Sequence, residues 1–215
     1  ASRKQRSQAA AAIGLLINKG ISTVSLIHKL AKAHYMQRSV LLRALHIRTL
    51  TKDREITKIL QRIASEEVQA IYSHWIALAA LDASQRTTGD ALLHEAIFEE
   101  CINESLRNLF YVASMLDSSG QVRKIVHRLF HSSKRVRAQA LEVMDNAGDF
   151  RTNRTIIKLL ECGDSKIHAQ DAANLYKMKS KNRFSVINEY SKCHNSWVRE
   201  CAAYALKCHF AAKEQ

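Results

Sequence analysis

The chain has 215 residues, 47% of them apolar, no proline and a formal charge of +13 at pH 7. At an average usage near 5%, roughly ten prolines would be present; without them helices run uninterrupted, and termination falls to the six glycines and to Ser/Asn/Asp clusters. Apolar residues recur at helical rather than alternating spacing, which excludes a β-rich fold and leaves an all-α protein with room for one sizeable domain.

Residues 1–8, ASRKQRSQ, are polar and basic and read as a linker or frayed terminus. A first helix follows to about Asn18, with Gly20 as its stop, and Ser22 or Thr23 caps a second helix carrying Val24, Ile27, Leu30 and Ala31 at helical spacing. Arg38–Leu50 completes the first hairpin. Asp53–Ile63 and Glu66–Leu81, with Ser65 as a cap between them, form the next pair. Residues 81–91 read as a loop, and Ala91–Cys101 with Glu104–Leu116 make a third pair. Gln121–Phe130 with Lys134–Asn146, Thr155–Glu161 with Ser165–Met178, and Phe184–Lys192 with Ser196–His209 complete six.

The last three pairs repeat. VRAQALEVM from Val136, IHAQDAANL from Ile167 and VRECAAYAL from Val198 start 31 residues apart, and Ile125, Ile156 and Ile187 keep the same interval eleven residues earlier. The loop interrupts the period: Val68 to Leu106 is 38 residues. A fixed period with two apolar segments per unit is the signature of stacked helical hairpins, none of which buries its apolar stripe alone. Val136, Ala140, Val143 and Met144 form one such stripe, as do Val198, Ala202, Ala205 and Leu206. Asp171 breaks the pattern in the middle copy, and Ala172 and Ala173 beside it point to a shifted contact. The expected fold is a right-handed α-solenoid of about six helical hairpins over residues 9–215.

Charge is segregated. Residues 1–60 carry twelve Lys/Arg against two Asp/Glu, residues 61–120 three against nine, and residues 121–160 nine against three. Such blocks suit an anionic partner, nucleic acid or lipid headgroup, as well as a merely solvated surface. The repeat superposes Arg137, His168 and Arg199, one residue past the apolar anchor, in an expected outward column. With Lys134, Arg135, Arg151 and Arg154 they are the candidate anion-binding residues; the plainer reading is that they solvate the surface or reach loop carbonyls. Lys29, Lys32, Arg38, Arg43 and Arg48 form a second basic group with little aromatic company.

Other donors are weaker candidates. His127 and His131 stand four apart without a third ligand, and Cys193, Cys201, Cys208, His194 and His209 lack the paired spacing of zinc sites. Cys201 and Cys208 read as small buried residues. Trp75, followed two turns later by Asp82, and Trp197, beside Arg199, could be binding aromatics, with core packing as the default. Five cysteines at irregular spacing form no disulfide framework and fit a reducing, cytoplasmic setting. The apolar run Ala9–Ile17 is shorter than the about 20 residues that cross a bilayer. No phosphate-binding glycine loop, nucleophile elbow or metal-ligand cluster of recognised spacing occurs, so neither an enzyme nor a cofactor is expected.

At Val198, Arg199, Ala202, Ala203, Ala205 and Leu206, and partly at Val136, Arg137, Ala140 and Leu141, the chain resembles short-period HEAT-repeat proteins, whose second helix carries Val-Arg, two small residues and Ala-Leu. The acid that usually stands six positions before the arginine is replaced by His131, Cys162 and Cys193. The usual acid–base ladder is therefore not expected, and the arginines are left to meet something else. A narrower likeness covers about Ala91–Glu161, carried by Arg107, Phe110, Ala138, Ala140, Leu141, Glu142, Asp145 and Asn146. There the chain is similar to the soluble HEAT domain that follows the transporter core in bacterial ATP/ADP-antiporter-like membrane proteins. That resemblance implies a non-catalytic scaffold binding a protein partner, cytoplasmic and tethered to the inner membrane, where a basic start suits the junction. The alternatives are a basic HEAT-like nucleic-acid-binding protein of the DNA-repair-glycosylase kind and a HEAT-like lyase.

Overall fold

A computed structural model describes residues 3–46, 53–82, 87–129, 133–147 and 150–211, with no strand among them. Twelve α-helices and one π-helical turn follow in order: α1 (Arg3–Asn18), α2 (Thr23–Lys32), α3 (Tyr35–Leu45), α4 (Arg54–Asp82), α5 (Thr88–Ala96), the π-turn Ile97–Ile102, α6 (Asn103–Leu116), α7 (Gln121–Leu129), α8 (Lys134–Asp145), α9 (Phe150–Glu161), α10 (Ser165–Tyr176), α11 (Arg183–Tyr190) and α12 (Ser196–Ala211). The fold is all-α.

Several boundaries are where local chemistry puts them. Gly20 ends α1 with φ +101°, and the Ser22 side chain accepts from the Ser25 amide to start α2. Other expectations change. Helix begins at Arg3, so the basic stretch is helical rather than a linker. Ser65 caps nothing, because no Gly or Pro separates the two predicted segments and α4 runs through as one helix of 29 residues. The third pair is likewise continuous from Thr88 to Leu116, its two α-segments joined by the π-turn. Of the predicted loop, Thr88–Ala91 belong to α5, and 83–86 lie outside the described residues.

The chain divides into two compact units, 1–68 with 106–161 and 69–105 with 162–215. In the first, α1 and α2 pack on α3, and α7, α8 and α9 pack in succession. Its core includes Ile27, Leu30, Leu42, Leu45, Leu60, Phe110, Val122, Met144 and Ile156. Asp117 organises the α6–α7 turn: its carboxylate accepts from the amides of Ser119 at 2.9 Å and Val122 at 2.8 Å. Asn153, buried in α9, donates to the carbonyls of Met144 and Ala147 and so fixes the end of α8.

In the second unit α12 packs against α11, its repeat partner, and also against α5, which lies about a hundred residues away in sequence. A purely linear stack of hairpins does not supply that contact. It is a close one. A Cβ on Gly89 would come within 2.6 Å of Ala205 Cα, so the alanine-rich motif of α12 and a glycine on α5 together permit the approach. Asp90, 1% exposed, is held by Arg183 from α11: Nε donates to Oδ1 at 2.9 Å and Nη2 lies 2.8 Å from Oδ2. Arg183 Nη1 also donates to His209 Nδ1 on α12. Burial pushes the Asp90 carboxyl up, but the Arg183 bonds and the Thr87 amide and hydroxyl outweigh it and hold it below the ordinary range.

The 31-residue register is visible in detail. Ile125, Ile156 and Ile187 are all buried. Ser133, Asp164 and Asn195 occupy the helix-capping position of three successive copies, and the last two accept from following amides. The anchors differ, though: Val198 is buried, Val136 half-buried and Ile167 exposed. Asp171 stands where the other copies place Ala140 and Ala202. Turning α10 by one residue, about 100°, leaves Asp171 half-buried rather than facing the core, brings Ala172 and His168 inward and sends Ile167 and Leu175 out. The stripe in α8 is also narrower than expected, since Val143 is exposed.

Gly89→Ala is expected to destabilise the protein by roughly 1–3 kcal/mol, because the backbone of α12 must retreat; a lowered urea midpoint at unchanged slope checks this. A second expectation concerns pH. Burial, aided by Lys181, lowers His74 from 6.5 to about 4, and its Nδ1 is hydrogen-bonded to the Tyr190 hydroxyl at 2.6 Å. The unfolded chain therefore takes up this proton at a higher pH than the fold does, so its contribution to stability is complete above about 6.5 and is lost as pH falls toward about 4. His46, lowered chiefly by burial, adds in the same direction. The urea midpoint should drop between pH 7.5 and pH 5, and drop less in His74→Gln.

Candidate interaction surface

The seven predicted anion-binding residues do not make one site. Lys134, Arg135, Arg137, Arg151 and Arg154 belong to the first unit, His168 and Arg199 to the second. Lys134, Arg135 and Arg154 are exposed and Arg137 half-buried. His168 is fully buried and cannot join an outward column, a consequence of the rotation of α10. Its ring lies 4.6 Å from that of Trp75, and Nε2 donates to the Cys162 carbonyl at 2.7 Å. A carbonyl only accepts, so Nε2 carries a proton.

Arg199 makes the equivalent contact one repeat later, with Nη1 donating to the Cys193 carbonyl at 3.0 Å. The acid missing from the usual ladder is thus replaced by the backbone carbonyl at the same position. The third target, His131, lies outside the described residues, as does the His127–His131 pair. Arg38 is also engaged: it is 2.7 Å from Glu66 and 3.6 Å from the buried Glu67. Arg48 lies outside the described residues.

The two tryptophans separate. Trp75 is 4% exposed, packed by His168 and Phe98, so it cannot stack on a ligand. Trp197, expected in the core, is 54% exposed. The reason is its place on α12. Val198, Cys201, Ala202 and Ala205 face the core, whereas Trp197 and Tyr204, seven residues apart, share another face. Tyr204 is 45% exposed. Phe184 and Phe210 are exposed too, and their rings lie 6.0 and 5.7 Å from that of His209. Sequence periodicity marked the inner stripe of α12; the outer aromatics were legible only as residues it left unassigned. Cys201 is buried as expected and Cys208 half-buried.

The first unit presents an apolar groove of about 580 Å³ between α1 and α3 at the end of α2, lined by Ala9, Ile13, Met36, Val40 and Leu41 with Arg6 and Lys29. No group of three or more His, Cys, Asp or Glu among the described residues could hold a metal ion. Among the same residues no helix is long and apolar enough to cross a membrane. No protein family, curated protein or solved structure matches the chain.

With one tryptophan exposed and one buried, acrylamide should quench two populations. Trp197→Phe is expected to leave a blue-shifted emission that is barely quenched. A variant quenched like the parent would place Trp75 in solvent.

Proposed function

We propose that the chain is a non-catalytic helical-repeat scaffold of HEAT-like hairpins that docks a protein partner through the outer face of α12. In this reading it is a cytoplasmic module that belongs to, or is attached to, a membrane transport-like protein. One observation carries the docking: Trp197 and Tyr204 stand exposed on one face of a helix whose opposite residues already fill the core. Tryptophan and tyrosine are the residues in which interface binding energy concentrates, since each brings a large apolar area with a polar tip. The transport-like setting is supported by the likeness over about Ala91–Glu161, and the repeat architecture by the 31-residue register with its capping residues Ser133, Asp164 and Asn195. The Phe184–His209–Phe210 cluster would extend the face.

A photo-crosslinking residue at position 204 is expected to capture one discrete protein in extracts of the source cells, and Trp197→Ala to reduce that capture at least about tenfold. The same probe at exposed Glu142 on α8 should capture nothing. Adducts at Glu142 and none at position 204 would refute the assignment.

The net charge of +13, concentrated in residues 1–60, supports a second reading as a sequence-independent nucleic-acid binder. Duplex DNA at low salt would then raise fluorescence anisotropy, and the affinity would fall steeply with ionic strength; a flat titration excludes it. Nothing in the packing of Trp75 favours the glycosylase or lyase alternatives.

A further inference from the structure

The groove between α1 and α3 joins an apolar wall to charge of a single sign. Its volume of about 580 Å³ falls within the range of small-molecule sites, about 300–1,000 Å³. The wall comes from three places in the chain: Ala9 and Ile13 on α1, Ala33 just past α2, and Met36, Val40 and Leu41 on α3. Ile13, Met36, Val40 and Leu41 are all half-buried, so each still has apolar surface to lose to a ligand. The polar members of the lining are Arg6, Lys29, Gln5 and Gln37, with no acid among them. The surrounding segment is equally one-sided, since residues 1–52 hold ten Lys/Arg and no Asp or Glu. Arg6 is 8% exposed and engaged within the fold, which fixes its charge at the wall. Lys29 is exposed on the neighbouring helix.

We propose that this groove binds a long-chain fatty acid, with the acyl chain along the apolar wall and the carboxylate against Arg6 and Lys29. Each part of the ligand answers a feature of the lining. The lining has no aromatic side chain and no hydroxyl, so it offers neither a stacking surface nor the fixed donors that select a ring or a sugar. Aliphatic walls with a methionine among them suit a flexible chain instead. A guanidinium takes a carboxylate by two parallel hydrogen bonds, and an ammonium adds a point charge.

Charge alone would also suit an acidic amphipathic helix, and size separates the two. Two turns of helix, about 10–12 Å across, displace roughly 1,000 Å³ and would stay half outside. A single acyl chain enters whole and carries its headgroup to a cation that is itself buried in the wall. The site lies wholly within the first unit, so it stands or falls independently of the docking face on α12.

The test titrates the full chain calorimetrically with sodium laurate at pH 8, below its micelle concentration. One laurate per chain is expected. Dodecyltrimethylammonium and dodecyl maltoside, which have the same chain with a cationic or a neutral head, should bind at least about tenfold more weakly. Octanoate, four methylenes shorter, should also lose at least about tenfold. Lys29→Glu is expected to weaken laurate about tenfold, and the same reversal at exposed Lys166 on α10 to change nothing. Ile13→Trp should abolish binding by occupying the groove; if it fails to fold, Lys29→Glu, on the surface, still decides. Equal affinity for the cationic amphiphile, or laurate binding that Lys29→Glu leaves unchanged, overturns the proposal. So does association with phosphatidylglycerol vesicles by a chain that takes up no laurate, which would make the groove part of a bilayer contact.

Discussion

The second unit depends on a carboxylate that cannot face water. Asp90 sits almost wholly buried at the start of α5, where an unpaired charge would cost several kcal/mol and the loss of one partner about 3–5 kcal/mol. Arg183 meets it side-on with its guanidinium fork, and Thr87 closes a reciprocal capping box around it. Because Arg183 also reaches His209, one charge fixes three helices. The contact works only because Gly89 leaves room for the backbone of α12 at Ala205. Electrostatics chooses the register, and the missing side chain sets the distance.

The sequence carried a good part of this. Every helix of the last three pairs is present near its expected place, since a 31-residue recurrence of apolar anchors and capping residues is a strong local signal. The rotation of α10 was foreshadowed by Asp171, which could not take the place of an alanine facing the core. Absent breakers were harder to read. The segments 53–63 and 66–81 look like two helices because a serine stands between them, yet a serine without glycine or proline does not end a helix. The π-turn from Ile97 to Ile102 has no pattern that periodicity would detect.

What sequence could not supply was the partner of each residue. Nothing in VRECAAYAL says that its alanines accommodate α5 as well as α11, since the two segments are separated by most of the repeat region. Trp197 follows the capping Asn195 by two residues and could equally have turned inward; the side occupied by Val198 and Ala202 decides it. His168 illustrates the opposite error. Its alignment with Arg137 and Arg199 suggested a common outward role, and one residue's rotation made it a core side chain.

The contacts from His168 to the Cys162 carbonyl and from Arg199 to the Cys193 carbonyl carry a wider lesson. An imidazole in one copy and a guanidinium in the next reach back six residues to the same backbone oxygen, one from the interior and one from the surface. What recurs is a hydrogen-bond donor of adequate reach, with neither its charge nor its exposure held constant. Searches for degenerate helical repeats that score acid–base pairs would pass over both copies. A pattern written as any long donor six residues after an accepting carbonyl in the turn between the paired helices would find them.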